Sequence, residues 1–402
     1  MIIKLQKLAV LIVSLVSFTM MPVDGFSQCG WRGVVNEGAV VAGCNAFGTS
    51  VNVSSTAYKT LAVVNGVNYS VSTCGSTWDS QLTGFNGTTF QTGAYNDDNG
   101  PSCTGNTASF DWTSTYNGTL NVQVERFSCG STWPGSSAQL QVRQNTTISN
   151  TTSTASICSN GTKALSSTLG GTHNNPTVTW SIVSGGGSIS GTTYTPSSAG
   201  SKTIRATVGV CSSDVTFTVD ANPGAANNTT STAGICGNGS TRALTGTPGG
   251  GTFALVSGPG SVSGSTYTAP TSGSGTAVIS YTIAASGSCP ATSNNASIAV
   301  TADPGAANNT TSTAGICGNG STRALTGTPG GGTFALVSGP GSVSGSTYTA
   351  PTSGSGTAVI SYTIAASGSC PATSNNASIV VTADPGAANN TTSTAGICGN
   401  GS

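Results

Sequence analysis

The chain has 402 residues, of which 57 are glycine and 12 are cysteine, with 11 basic residues balanced by 11 acidic ones and a single histidine. That length suits several domains of about 100 residues rather than one core. So few cations leave no basic footprint for nucleic acid, whose affinity rests on neutralising phosphates, and one histidine offers little for acid–base catalysis.

The N-terminus carries Lys4 and Lys7, then a mainly apolar run over residues 8–18, then Gly25 and Ser27 before Gln28. This reads as a secretory signal peptide over residues 1–27, with an apolar run too short to anchor the chain across a bilayer. Gln28 is not the small residue that a lipoprotein cleavage site needs before Cys29. No other stretch approaches about 18 apolar residues, so the mature chain has no transmembrane segment and is expected outside the cell or on a bacterial cell surface. Cysteines in an exported chain point to disulfides rather than to metal thiolates.

Residues 28–143 hold four of the five tryptophans and five cysteines. Alternating apolar residues predict strands near 69–73, 108–112, 120–126 and 138–142, with Phe110 and Trp112 sharing the inward face. Asp79 with Asp97 and Asp98 forms the one acidic constellation, a candidate calcium site because Ca²⁺ takes six to eight oxygen ligands. Trp78 and Trp133 are candidates for stacking on sugar rings. The segments NYSVSTCGSTWDSQLTGF, AYNDDNGPSC and GTLNVQVERFSC resemble the pre-peptidase C-terminal type β-sandwich of secreted Bacteroidetes proteins. That resemblance implies a jelly-roll-like sandwich with a non-catalytic accessory role.

Beyond it the chain repeats itself. Residues 223–303 recur over 304–384 with one change, Ala299 becoming Val380, and a further copy begins at 385 and reaches residue 402. An 81-residue period is too long for a solenoid unit and fits one small β-sandwich. Residues 277–283 alternate, with Ala277, Ile279, Tyr281 and Ile283 on one face, and no helical period occurs. Residues 144–222 are a diverged cousin: SICSNGTKALSSTLGG parallels GICGNGSTRALTGTPGG. These units resemble the immunoglobulin-like (Ig-like) or PKD-like modules of Bacteroidetes surface proteins. The expected fold class is all-β: a jelly-roll-like sandwich followed by a linear array of Ig-like sandwiches. Since the last copy stops inside its first strands, the natural protein is expected to continue.

Each repeat carries two cysteines 53 residues apart, which suggests pairing within a copy: Cys236 with Cys289, and Cys317 with Cys370. Cys158 and Cys211 share that spacing, Cys29 and Cys44 form a plausible local pair, and the sequence does not choose among Cys74, Cys103 and Cys129. His173 falls in a Gly- and Asn-rich turn that reads as an exposed loop, and no resident cofactor is implied beyond the candidate calcium. The first functional reading is an adhesin-like stalk or spacer presenting its N-terminal module to a surface ligand such as polysaccharide or another cell. The alternatives are the accessory region of a secreted hydrolase whose catalytic domain lies past residue 402, and carbohydrate binding by the N-terminal sandwich.

Overall fold

The computed structural model describes residues 29–32, 35–54, 57–129 and 137–386. The expected signal peptide over residues 1–27, Trp133 and all but the first two residues of the final repeat copy lie outside the described residues. Apart from a three-residue 3-10 turn at Phe127–Cys129, every regular element described is a β-strand. The chain divides into two compact units, one running to Asn222 and including Gly287–Cys289, the other comprising Pro223–Ser286 and the residues from Pro290 onward.

The first unit opens with a sandwich of ten strands: β1 Val35–Val40, β2 Gly43–Cys44, β3 Val51–Val53, β4 Ala57–Val63, β5 Asn68–Ser72, β6 Ser80–Asn86, β7 Thr89–Asn96, β8 Ser109–Thr113, β9 Gly118–Arg126 and β10 Ala138–Gln144. One sheet runs β1-β4-β9-β6-β7 and the other β2-β10-β5-β8, with β3 also on β10. Alternation drives the packing, because successive side chains of a strand point to opposite faces. On β8, Phe110 and Trp112 are buried while Asp111 between them is exposed.

No exposed linker follows. Gln144 is fully buried, and the same apolar cluster that holds Leu61, Leu120 and Val142 also takes in Ile148, Ala206, Val208 and Cys211 from the next domain. That domain contains β11 Thr147–Asn150, β12 Ile157–Cys158, β13 Lys163–Ala164, β14 Ser167–Gly170, β15 Thr179–Ser184, β16 Ser188–Ser190, β17 Thr193–Thr195, β18 Gly200–Val208 and β19 Cys211–Asp220. Its sheets are β12-β19-β18-β15 and β13-β17-β16, while β11 pairs with β14. The short β12 lies parallel to the last strand. Four strands against three, with the first strand of the larger sheet parallel to the last, is an Ig-like sandwich.

The second unit repeats this plan twice. Ile235–Gly237 runs parallel to Thr292–Ala302, which pairs with Gly275–Ile283 and through it with Thr252–Ser257. Residues 316–383 reproduce the set. Ala277, Ile279, Tyr281 and Ile283 all point inward: Ala277 and Ile279 join a thin core centred on Tyr267 and Ile298, and Tyr281 and Ile283 pack with Ala226 in a second small cluster. Tyr281 shows why this sequence is so rich in glycine. Its ring lies where a Cβ on Gly246 or Gly251 would stand, 2.6 Å and 2.4 Å away, and its hydroxyl accepts a hydrogen bond from the Gly251 N–H at 3.0 Å. Gly327, Gly332 and Tyr362 repeat the arrangement.

Adding a methyl group beneath a packed ring costs about 1–3 kcal/mol. Gly246→Ala is therefore expected to lower the thermal midpoint of its repeat by calorimetry. Gly249→Ala, where nothing lies within 4 Å and φ is not positive, should leave it unchanged.

Candidate functional site: the cystine joints

The structure overturns the expected disulfide pairing. Cys44 bonds Cys211, Cys158 bonds Cys289 and Cys236 bonds Cys370, while Cys29 bonds Cys129 and Cys74 bonds Cys103. Cys317 is an exposed free thiol. Neither Cys29–Cys44, Cys236–Cys289 nor Cys317–Cys370 forms, and Cys158 does not meet Cys211.

The reason is strand length. Cys236 stands opposite Thr301, near the end of the strand Thr292–Ala302, whereas Cys289 precedes the start of that strand. At about 3.3 Å per residue the two cysteines lie roughly 30 Å apart, and a disulfide requires Cα atoms within about 7 Å. Each Ig-like domain thus carries one cysteine at each end. The early one sits on a short edge strand and the late one at the start of the last strand or in the turn before it; in the first of these domains Cys158 lies on the edge strand and Cys211 opens β19.

Every joint is built in the same way. The late cysteine comes third in a Gly-X-Cys sequence: Gly209-Val210-Cys211, Gly287-Ser288-Cys289 and Gly368-Ser369-Cys370. The glycine has positive φ in all three, +56°, +55° and +51°, a conformation that side chains rarely adopt. The N–H of the middle residue then donates to a side-chain oxygen: Val210 to Gln144 Oε1 at 2.9 Å, Ser288 to Asp220 Oδ2 at 2.6 Å, and Ser369 to Thr301 Oγ1 at 3.3 Å. A Cβ on the glycine would fall 2.1 Å from Gln144 Oε1, 2.3 Å from the Asp220 carboxylate or 2.6 Å from Thr301 Oγ1. The acceptor in turn lies directly across a parallel pairing from the cysteine that receives the bond: Cys44 opposite Gln144, Cys158 opposite Asp220, Cys236 opposite Thr301. Hydrogen bonds donated by Ser288 hold the Asp220 carboxyl below its ordinary pKa.

A guanidinium fixes the approach to the third joint. Arg242 Nη1 donates to the Ser231 carbonyl at 2.9 Å and also to that of Ala233, and its Nη2 donates to Gly234 O at 3.0 Å. These bonds tether the segment that leads into Cys236.

The sequence-predicted ligand sites are less convergent. Asp97 and Asp98 lie near enough to Asp79 that their charges help burial raise its pKa, against the pull of Arg126. Among the described residues, three candidate ligand atoms approach within 4.8 Å only at Cys29/Glu125/Cys129 and Cys236/Asp303/Cys370. In both groups two of the three atoms are disulfide sulfurs. Asn99, which follows Asp98 in the chain, uses its Oδ1 to accept the Gly105 N–H at 2.9 Å. Trp78 is partly buried against the sandwich core. A groove of about 490 Å³ opens beside Phe90, Gln91, Asp111, Trp112 and Thr115, with Trp112 only 5% exposed, so its ring forms a wall of the groove. His173 is not the exposed loop residue expected. It is half-buried, bridges Val67, and its Nδ1 has no hydrogen-bond partner, so no carboxylate orients the imidazole there.

No family model matches the chain, and no curated protein matches it significantly. Among solved structures it is similar to the titin I-band fragment I67–I69 (11% identity over 59% of this chain and 99% of that one, TM-score 0.32). It is also similar to Drosophila N-cadherin EC1-4 (10% identity, 86% and 98% coverage, TM-score 0.25) and to invasin, a bacterial integrin-binding protein (14% identity, 85% and 77% coverage, TM-score 0.28). The strand order described above makes this a tandem Ig-like protein, and no helix among the described residues is long and apolar enough to cross a membrane.

Tryptic cleavage at Arg242 and Arg323 under non-reducing conditions should leave the peptide that ends at Arg242 joined to the one that begins at Ala324. The peptide 243–323 should be absent from that species; its presence there, linked through Cys289 and Cys317 to both, would restore the within-copy pairing. A second expectation concerns Glu125, whose pKa burial raises above the ordinary 4.5 while Arg32 pulls it down, and whose Oε2 lacks a hydrogen-bond partner. A raised carboxyl pKa means that the charged form is penalised in the fold, fully so at neutral pH and less as pH falls through the raised value towards 4.5. Glu125→Gln should therefore raise the melting temperature at pH 7, with the gain shrinking on acidification.

Proposed function

We propose that this chain is a non-catalytic, exported surface protein whose Ig-like domains form an adhesin-like stalk that presents the N-terminal sandwich. The observation that carries this reading is the repeated joint. Three times, a Gly-X-Cys turn hands its cysteine back to the domain before it, using both ends of each domain for coupling. A device that recurs at each junction suits transmission of tension along the chain better than recognition at any single domain. The thin cores agree with it, because domains of about 80 residues with few buried side chains need covalent support. The resemblance of the N-terminal sandwich to modules of secreted Bacteroidetes proteins supports export and a bacterial surface setting. Its ligand would be a polysaccharide or a component of another cell.

Single-molecule pulling between the chain termini tests the stalk reading. The oxidised chain should release far less length than the reduced chain as its domains open, because the cystines bypass most of the backbone. Equal extensions in the two states would overturn it.

A further inference from the structure

We infer that Cys317 and Thr382 form the receiving half of a fourth joint, which takes the Gly-Ser-Cys turn of another copy of the 81-residue repeat. The inference rests on the joint reading above and adds the identity of the partner.

The geometry is already in place. Cys317 lies opposite Thr382 in a parallel pairing, as Cys236 lies opposite Thr301. Arg323 reproduces the tether of Arg242, with Nη1 donating to Ser312 O at 2.9 Å and Nη2 to Gly315 O at 3.2 Å. Thr382 Oγ1, the counterpart of the oxygen that receives the Ser369 N–H, instead donates to Ile316 O at 3.4 Å. The difference between the two edges lies in what covers them. Ile235 and Cys236 are 6% and 4% exposed, with Ser369 Oγ 2.1 Å from where a Cβ on Gly234 would stand. Ile316 is only half-buried and Cys317 is exposed, and the position equivalent to Gly234, Gly315, meets only the Val380 carbonyl at 3.5 Å. The same residues in the same fold thus differ by the presence of one turn. The single substitution between the copies, Ala299 against Val380, falls at this rim, and the same carbonyl faces the glycine at 3.5 Å in both.

The chemistry is a thiol–disulfide exchange. Cys317 and the late cysteine of the arriving copy each give up a proton and together two electrons, an S–S bond forms, and a small-molecule disulfide such as oxidised glutathione is cleaved to two thiols.

The test extends the full chain so that the copy begun at residue 385 is completed, and refolds it in a glutathione redox buffer. Its late cysteine then has two possible partners, Cys317 and Cys398, the latter outside the described residues. Mapping after refolding should find it on Cys317, protecting that thiol from alkylation at least tenfold relative to the 402-residue chain. In an extended chain whose late cysteine is changed to Ser, Cys317 should become fully alkylatable while Cys236–Cys370 persists, showing that the fold is intact. A late cysteine bonded to Cys398, or left free beside a reactive Cys317, would overturn the inference while leaving Cys236–Cys370 and the joint reading standing. Loss of Cys236–Cys370 itself would instead bring down the joint reading.

Discussion

An extended strand cannot bring its two ends together. In these Ig-like domains the last strand separates the early cysteine from the late one, and its rise of about 3.3 Å per residue keeps them far beyond bonding range. Each cysteine must therefore look outside its own domain. The edge-strand cysteine is paired in register with the end of the last strand, and the turn cysteine lies at or just before its beginning. From that constraint follow the backward bonds Cys44–Cys211, Cys158–Cys289 and Cys236–Cys370, and with them the requirement for glycine two residues before each turn cysteine.

The same constraint bears on stability. The repeat cores are built on two buried tyrosines and a few aliphatic side chains, and the sequence around them is rich in Thr, Ser, Asn and Gly. Such cores bury little apolar area for the backbone they must order. A cystine closing 134 residues, as between Cys236 and Cys370, restricts the unfolded chain by about 5 kcal/mol. Because that bond spans two copies, its stabilisation is shared between them. Asparagine contributes in a smaller way. Asn150, Asn228 and Asn309 each donate from Nδ2 to the carbonyl of an inward isoleucine (Ile204, Ile279 and Ile360), pinning the first strand to the sheet. Asn228 heads an Asn-x-Thr triplet, so this triplet has a packing role of its own.

Much of this architecture can be read from the residues alone. The 81-residue period, the absence of helical spacing and the inward set Ala277, Ile279, Tyr281 and Ile283 all follow from residue pattern, and so does the inward turn of Phe110 and Trp112. The pairing of cysteines cannot be read that way, for a definite reason. In a periodic chain, bonds within a copy and bonds to the next copy leave the same spacing between cysteines, so distance along the sequence does not distinguish them. Two signals do bear on the choice. Five cysteines in the N-terminal sandwich leave one over, and the structure shows that Cys44 is the one that pairs beyond it. Gly-X-Cys also recurs at 209–211, 287–289 and 368–370, although its meaning emerges only once the acceptors Gln144, Asp220 and Thr301 are seen across from it. The acidic residues at 79, 97 and 98 illustrate the opposite case, where closeness in sequence brings mutual electrostatic influence without converging ligand atoms.

The cystine loops also overlap one another along the chain. Cys29–Cys129 is still open when Cys44–Cys211 begins, that loop contains Cys158, and the Cys158–Cys289 loop contains Cys236. Every peptide bond between Cys29 and Cys370 is therefore bridged by at least one sulfur–sulfur link. A protease that nicks this stretch once cannot detach anything: the two fragments remain a single molecule until a reductant arrives. Under oxidising conditions this interleaving means that an isolated cut is survivable.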